Sequence, residues 1–186
     1  MSIKNKNYFI KGRFVYLRSF EICDINKNYL VWLNNPKVNY GIEARFPISK
    51  YDAINFFKET SKSKNEILFA ICDNKTDKHI GNCLISNIDW INKRCRFGRL
   101  IGEKSKRKKG IGTEVTRLVQ EIVFYKLNLN SIYCAVNHNN KASIKSNLKA
   151  GMKIEGISKE GMYFNGKYVD QVNFGITKKE FLNLRK

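Results

Sequence analysis

The stretch Arg107-Lys108-Lys109-Gly110-Ile111-Gly112-Thr113-Glu114-Val115 decides how the rest of the chain is read. From Gly110 to about Leu127 the apolar residues Ile111, Val115, Leu118, Val119, Ile122 and Val123 recur at offsets of 4, 7, 8, 11 and 12, so they share one face of a helix. Three cations and two glycines stand at the head of that helix. A helix N-terminus presents unpaired N–H groups and a partial positive charge, so an anion on this turn gains hydrogen bonds and the field of the flanking cations. A diphosphate fits such a place, and a solvated basic loop whose glycines give flexibility is the competing reading of the loop alone. Other phosphate loops fail on spacing: G-x-x-x-x-G-K-[ST] is absent, and a dinucleotide fingerprint needs Gly or Ala where Val115 stands.

Upstream, Cys95 to Ile101 reads as a strand with Gly102 at its exit, preceded by strands Glu66 to Asp73 and His79 to Ile88 around the polar turn Asn74-Lys75-Thr76-Asp77. Ser49 with Asp52 forms a capping-box signature for a helix ending near Ser61. Asp24 is read as the cap of an earlier helix carrying Tyr29, Leu30, Trp32 and Leu33, stopped by Asn34-Asn35-Pro36, and Phe14 to Arg18 as a first strand. Downstream come a strand Ser131 to Val136, a helix Asn140 to Ala150 closed by Gly151, and a strand Met152 to Ile157. Gly161 to Phe164 and Tyr168 to Ile176 then form a hairpin whose Asn165-Gly166 pair suits a type I′ turn. This order predicts an α+β or α/β domain built on a mixed, mostly antiparallel sheet flanked by helices.

At 186 residues and 42% apolar composition the chain forms one domain, 1–186, with no internal repeat. No stretch approaches the roughly 20 apolar residues of a membrane span, and the start lacks a signal-peptide core, which predicts a cytoplasmic protein. Cys23, Cys72, Cys83, Cys95 and Cys134 show no C-x-x-C spacing and read as small core or near-core residues, and His79 and His138 are too isolated to predict a metal site. The net charge of +19 is dispersed along the chain, which speaks against nucleic acid and suits steering of a phosphate-rich ligand.

The order strand, R-x-x-G-x-G, amphipathic helix, strand, Asn and a short helix ending in Gly resembles the core of the GNAT N-acetyltransferase family, over about residues 12 to 177. The resemblance implies acetyl-coenzyme A as cosubstrate and no metal. Its diphosphate would be held at Arg107, Lys108, Lys109, Gly110, Ile111, Gly112 and Thr113, and its pantetheine arm aligned by the backbone near Leu100 and Ile101. Asn140 matches an asparagine that contacts the coenzyme arm, a role compatible with capping its helix. Many members carry, seven residues on, a Tyr that protonates the departing thiolate; here Asn147 stands there and has no proton to deliver. Ser143 matches a serine of Rim-type members and is the candidate to hydrogen-bond or protonate the sulfur, or else a first-turn helix serine.

Glu103 is the candidate general base, or a solvated loop charge. Asp89 with Trp90, and Glu43 with Arg45, are the candidate acceptor-lining residues. Tyr16-Leu17-Arg18, Trp32-Leu33-Asn34-Asn35-Pro36 and Gly166-Lys167-Tyr168-Val169-Asp170 look like the branch holding Rim-type enzymes and bacterial amino-sugar acetyltransferases. The acceptor expected from this is a nucleotide-linked amino sugar of bacterial surface-glycan (polysaccharide) biosynthesis. The alternatives are a protein N-terminus, as for the Rim-type ribosomal-protein enzymes, and a small amine or aminoglycoside. A non-enzymatic alternative, a basic RNA-associated domain, would require an aromatic-studded basic surface. A homodimer is left open.

Overall fold

The computed structural model describes residues 7–39, 46–107 and 109–185. The strands β1 (Ile10–Lys11), β2 (Val15–Ser19), β3 (Ile67–Asp73), β4 (His79–Asp89) and β5 (Arg94–Ile101) form an antiparallel run, each beside its predecessor. Between β2 and β3 lie α1 (Lys27–Asn34), α2 (Pro36–Asn39) and α3 (Lys50–Lys62). After β5 come α4 (Ile111–Glu121), which runs on through a π-helical turn at Ile122–Lys126, then β6 (Ser131–Asn137) and α5 (Lys141–Lys149). The chain ends with β7 (Lys153–Phe164), β8 (Lys167–Thr177) and α6 (Lys178–Asn183). The sheet has eight strands in the order β1-β2-β3-β4-β5-β6-β8-β7.

Side-chain alternation along β5 divides the core in two. Cys95 and Phe97 pack with Ile111, Val115, Leu118 and Val119 of α4, whereas Leu100 points to the opposite layer with Tyr16, Phe20, Tyr29, Trp32 and Leu33. The sheet is therefore sandwiched, with α1 to α3 on one face and α4 on the other.

The parallel crossover from β5 to β6 carries the feature on which the site depends. Only Arg94, Cys95 and Arg96 pair with Ser131, Ile132 and Tyr133. Beyond them β5 stays in register with β4 as far as Ile101, and β6 with β8 as far as Asn137. Each strand follows its own outer neighbour, and a cleft opens between Phe97–Ile101 and Cys134–Asn137.

The local signals hold where a residue and its partner are close in sequence. Ser49 and Asp52 make the capping box of α3, and Asn165 and Gly166 both adopt positive φ, 48° and 79°, as a type I′ turn requires. Gly151 follows α5 at φ 90°.

Three expectations are corrected. Asn26, not Asp24, caps α1, accepting from the N–H groups of Asn28 and Tyr29 at 2.9 and 3.2 Å. Asp24 is buried and taken by a two-pronged pair with Arg18, both contacts at 2.7 Å, a stronger bond than a neutral cap. The stretches read as two strands around residues 158–160 are one long strand, β7, whose register against β8 shifts between Ser158 and Met162 where Glu160 takes a φ of 51°. Cys23 is exposed, while the other four cysteines are buried. β1, α2 and α6 were not foreseen; α6 has its own capping box, Thr177 with Glu180.

Two long-range contacts fix the ends of the β5–α4 connection. The Glu114 carboxylate, in the first turn of α4, accepts from the backbone N–H groups of Arg13, Phe14 and Val15 at 2.6, 2.9 and 3.1 Å. Replacing Glu114 by Ala leaves those donors without their acceptor and is expected to destabilise the protein by about 1–3 kcal/mol in urea unfolding. A loss below about 0.3 kcal/mol would mean the contact does not hold α4 to the β1–β2 turn.

In the loop, Lys106 Nζ reaches Asp73 at 2.6 Å, and Thr76 adds its N–H and hydroxyl at 2.9 and 3.0 Å. Burial by itself would raise the Asp73 pKa, but these partners hold it down, from 3.8 to about 2. A depressed folded pKa means that the stabilisation is complete above the unfolded value and is lost as pH falls through the folded one. Unfolding free energy should thus fall between pH 4 and pH 2, and Lys106→Met should flatten that fall; equal pH dependence in both proteins would contradict the pairing.

Candidate active site

Gly110 sits at the N-cap position of α4 with φ 78°, in the left-handed region that glycine enters without steric cost. It has no side chain to cap the helix, and its carbonyl accepts the first intrahelical bond, from Glu114 N–H at 3.0 Å. The N–H groups of Ile111, Gly112 and Thr113 precede that bond and have no backbone acceptor among the described residues. Ile111 itself is buried in the core, so its side chain anchors the turn and only its backbone faces a ligand. Thr113 is half-buried, and Gly110 and Lys109 are exposed. Lys108 lies outside the described residues.

Arg107 is a brace of the loop. Its Nε donates to the Ile101 carbonyl at 3.0 Å and its Nη1 to the Lys37 carbonyl at 3.1 Å, tying the loop to the end of β5 and to α2. The guanidinium keeps its charge, and the helix end and exposed Lys109 add to the positive character offered to an anion. Leu100 and Ile101 stand where β5 has lost β6 as a neighbour, as the alignment of an extended ligand arm requires. Across the cleft Asn137 is buried; its Oδ1 accepts from Asn139 N–H at 2.8 Å, and its Nδ2 has no acceptor among the described residues. A buried donor without a partner costs free energy that a ligand carbonyl would recover. These features fit a coenzyme A arm threaded between the strands with its diphosphate on α4.

Asn140 caps α5, its Oδ1 accepting from Ser143 N–H at 3.1 Å. The structure thus joins these two expected residues through a backbone N–H, and Ser143 is half-buried in the first turn of α5. Asn147, one turn further on, is completely buried and fully engaged at both ends of its amide. Its Nδ2 donates to Cys134 Sγ of β6 at 3.2 Å, and its Oδ1 accepts from Arg99 Nη1 of β5 at 2.8 Å. Arg99 Nη2 donates to Ser146 Oγ at 2.8 Å. Asn147 therefore links β5, β6 and α5 at the cleft.

The sequence reading missed Arg99 and Ser146. A signal was present: Cys95, Phe97, Arg99 and Ile101 alternate along β5, and Arg99 is the cation among positions that otherwise face the α4 core.

Glu103 caps a short helical turn at Lys104–Lys106 by accepting from the N–H and hydroxyl of Ser105 at 3.2 and 2.9 Å. The Ser105 hydroxyl, with its N–H, holds the Glu103 pKa below the usual carboxylate value, which makes it a weak base. Asp89 and Trp90 occupy the β4–β5 turn, at the end of β5 still paired with β6, roughly 20 Å of strand from Ile101. There Asp89 accepts from Ile91 and Asn92, and Trp90 Nε1 donates to Lys64 O and Asn65 Oδ1 at 3.2 and 3.1 Å. The structure does not bring these two to the cleft. Glu43 and Arg45 lie outside the described residues.

Residues 15–153 match the model of the acetyltransferase (GNAT) domain. The chain is 27% identical over 171 residues to the "Probable N-acetyltransferase YjcK" of Bacillus subtilis, covering 87% of this chain and 92% of that protein. It is 28% identical over 130 residues to the "Uncharacterized N-acetyltransferase p20" of Bacillus licheniformis, covering 70% and 72% of the two chains. Among solved structures, the spermidine N-acetyltransferase of Vibrio cholerae in complex with CoA and spermine superposes with a TM-score of 0.83 at 22% identity, over 91% of this chain and 98% of that one. The match spans most of the sheet and both helices that frame the cleft, and the chain belongs to the GNAT acetyltransferase family.

Proposed function

We propose that this acyltransferase moves the acetyl group of acetyl-coenzyme A onto the amine of a nucleotide-linked amino sugar. The observation that carries the donor half is the cleft between β5 and β6 ending at the uncapped N-terminus of α4. An extended thioester-bearing arm satisfies the strand edges, and a diphosphate satisfies the helix end. Ser143 is the group we place against the departing sulfur as a hydrogen-bond donor. The neutral amine attacks the thioester carbonyl, and its proton passes to water.

The acceptor half rests on charge. A net charge of +19 attracts a diphosphate-bearing acceptor and repels a polyamine. A polyamine site needs carboxylates free to hold ammonium groups, and four in the loop and the neighbouring layer are already engaged. Asp24 is held by Arg18, Asp73 by Lys106, Glu103 by Ser105, and Glu114 by three backbone N–H groups. The polyamine reading draws on the fold shared with the Vibrio cholerae spermidine enzyme. It is the rival arm of the test.

Acetyl-coenzyme A at about 100 times its Kd should stabilise the fold by about 2.7 kcal/mol, which for a chain of this length raises Tm by about 5–10 °C. Gly110→Val, which forces a β-branched residue into the left-handed region, should abolish that shift. An undiminished shift would place the cofactor elsewhere. Coenzyme A release should be fastest with a nucleotide-linked amino sugar; faster release with spermidine, N-terminal peptides or aminoglycosides would replace the acceptor and leave the donor site standing.

A further inference from the structure

Arg99 is a cation in an unusual place. It projects from β5 into the space between the strands and α5, where its guanidinium meets Asn147 and Ser146, and it lies 5.5 Å from the Phe97 ring. A Cβ built on Gly112, in the first turn of α4, would stand 3.4 Å from Arg99 Nε and 3.0 Å from Ser146 Oγ. The guanidinium therefore sits beside the positive end of a helix. Among the described residues no carboxylate pairs with it. Its titratable neighbours are Cys83 of β4 and Cys134 of β6, and burial pushes their thiols up to about 12 and about 11, so both are neutral. Arg99 is half-buried, and burial lowers its pKa from the usual arginine value.

A guanidinium has five N–H donors, and two are spent here, on Asn147 and Ser146. The rest stand where β5 and β6 have just parted, next to the side chain that occupies the position of the missing proton donor. Gly110, where the diphosphate is placed, is exposed, whereas Arg99 is set back beneath the first turn of α4.

We propose that Arg99 is a catalytic residue whose guanidinium, aimed by Asn147 and Ser146, stabilises the negative charge that collects on the coenzyme A sulfur as the acetyl group leaves. The inference rests on the acetyl-coenzyme A reading above. In the step, the amine nitrogen bonds to the thioester carbon and the carbonyl electron pair moves to oxygen. Collapse then breaks the C–S bond, and that pair goes to sulfur as a thiolate. The nitrogen proton leaves to water, Arg99 keeps all its protons, and the products are the amide, the thiolate and one proton. Charge stabilisation replaces proton donation, which Asn147 cannot perform.

Binding of coenzyme A and of desulfo-coenzyme A, compared by calorimetry at pH 7 and pH 9, tests this without knowledge of the acceptor. A free thiol ionises near pH 8.5, and none of the groups facing Arg99 titrates in that window, so a change there belongs to the ligand sulfur. In the wild-type protein the preference for coenzyme A over the desulfo compound should grow about tenfold from pH 7 to pH 9. Arg99→Lys should keep part of that growth. Arg99→Met should lose it while binding desulfo-coenzyme A within about twofold of wild type. A preference that ignores pH in the wild type would overturn the proposal, as would an Arg99→Met variant that loses both ligands equally, since the guanidinium would then serve the diphosphate. If neither ligand binds the wild type, the cofactor reading itself falls first. Should Arg99→Met not fold, the wild-type pH series and Arg99→Lys still decide.

Discussion

β5 and β6 are hydrogen-bonded through only three residues each, and the site exists because the pairing stops there. A parallel ladder that ran the full length of both strands would leave no edge for a ligand. Here β5 is held along its other side by β4 and β6 by β8, both antiparallel and both paired almost to the strand ends. The twist of the sheet then separates the two halves, and the strand edges become a lining. α4 starts at the mouth of the opening because the β5–α4 loop is tied down at Ile101, Lys37 and Asp73, and the first turn of α4 at the β1–β2 turn. Architecture and chemistry meet at this one interruption.

Charge is used unevenly around it. The R-x-x-G-x-G arginine, which the family resemblance assigns to phosphate, gives two of its five donors to backbone carbonyls, and the N–H groups above Gly110 add to the anion site. Arg99, which the same reading passed over, is a half-buried cation that no carboxylate pairs with among the described residues. Asn147 in place of a tyrosine is consistent with this arrangement: an amide can accept from the guanidinium at one end and donate to Cys134 at the other, and it loses nothing by having no proton to give.

What could be read from sequence alone was what short-range chemistry determines. The capping box at Ser49, the Asn165-Gly166 turn, the apolar face of α4 and the cap at Asn140 each involve partners a few residues apart, and each is found where expected. The mixed, mostly antiparallel sheet was legible through the family resemblance, since the loop and the alternation of strand and helix are local signals of a non-local fold. Asp24 was misassigned because Arg18, six residues back on β2, pairs with it at both carboxylate oxygens, and a charged pair outweighs a cap. The bond between Ser146 and Arg99 was not legible because it joins positions 47 residues apart. β7 hid its length because a bulge at Ser158 to Met162 breaks the alternation on which strand recognition depends. Asp89 and Trp90 read as site-lining by composition, and only the register of β5 against β6 shows that they stand at the closed end.

A crystal structure of the protein with coenzyme A bound tests the role of the cleft most directly. The diphosphate should lie on the N–H groups of Ile111, Gly112 and Thr113, the pantetheine arm between β5 and β6, and the sulfur within hydrogen-bond reach of the Arg99 guanidinium, about 3.0–3.5 Å away. A coenzyme seated outside the strand cleft, or one whose diphosphate rather than sulfur meets Arg99, would contradict the assignment.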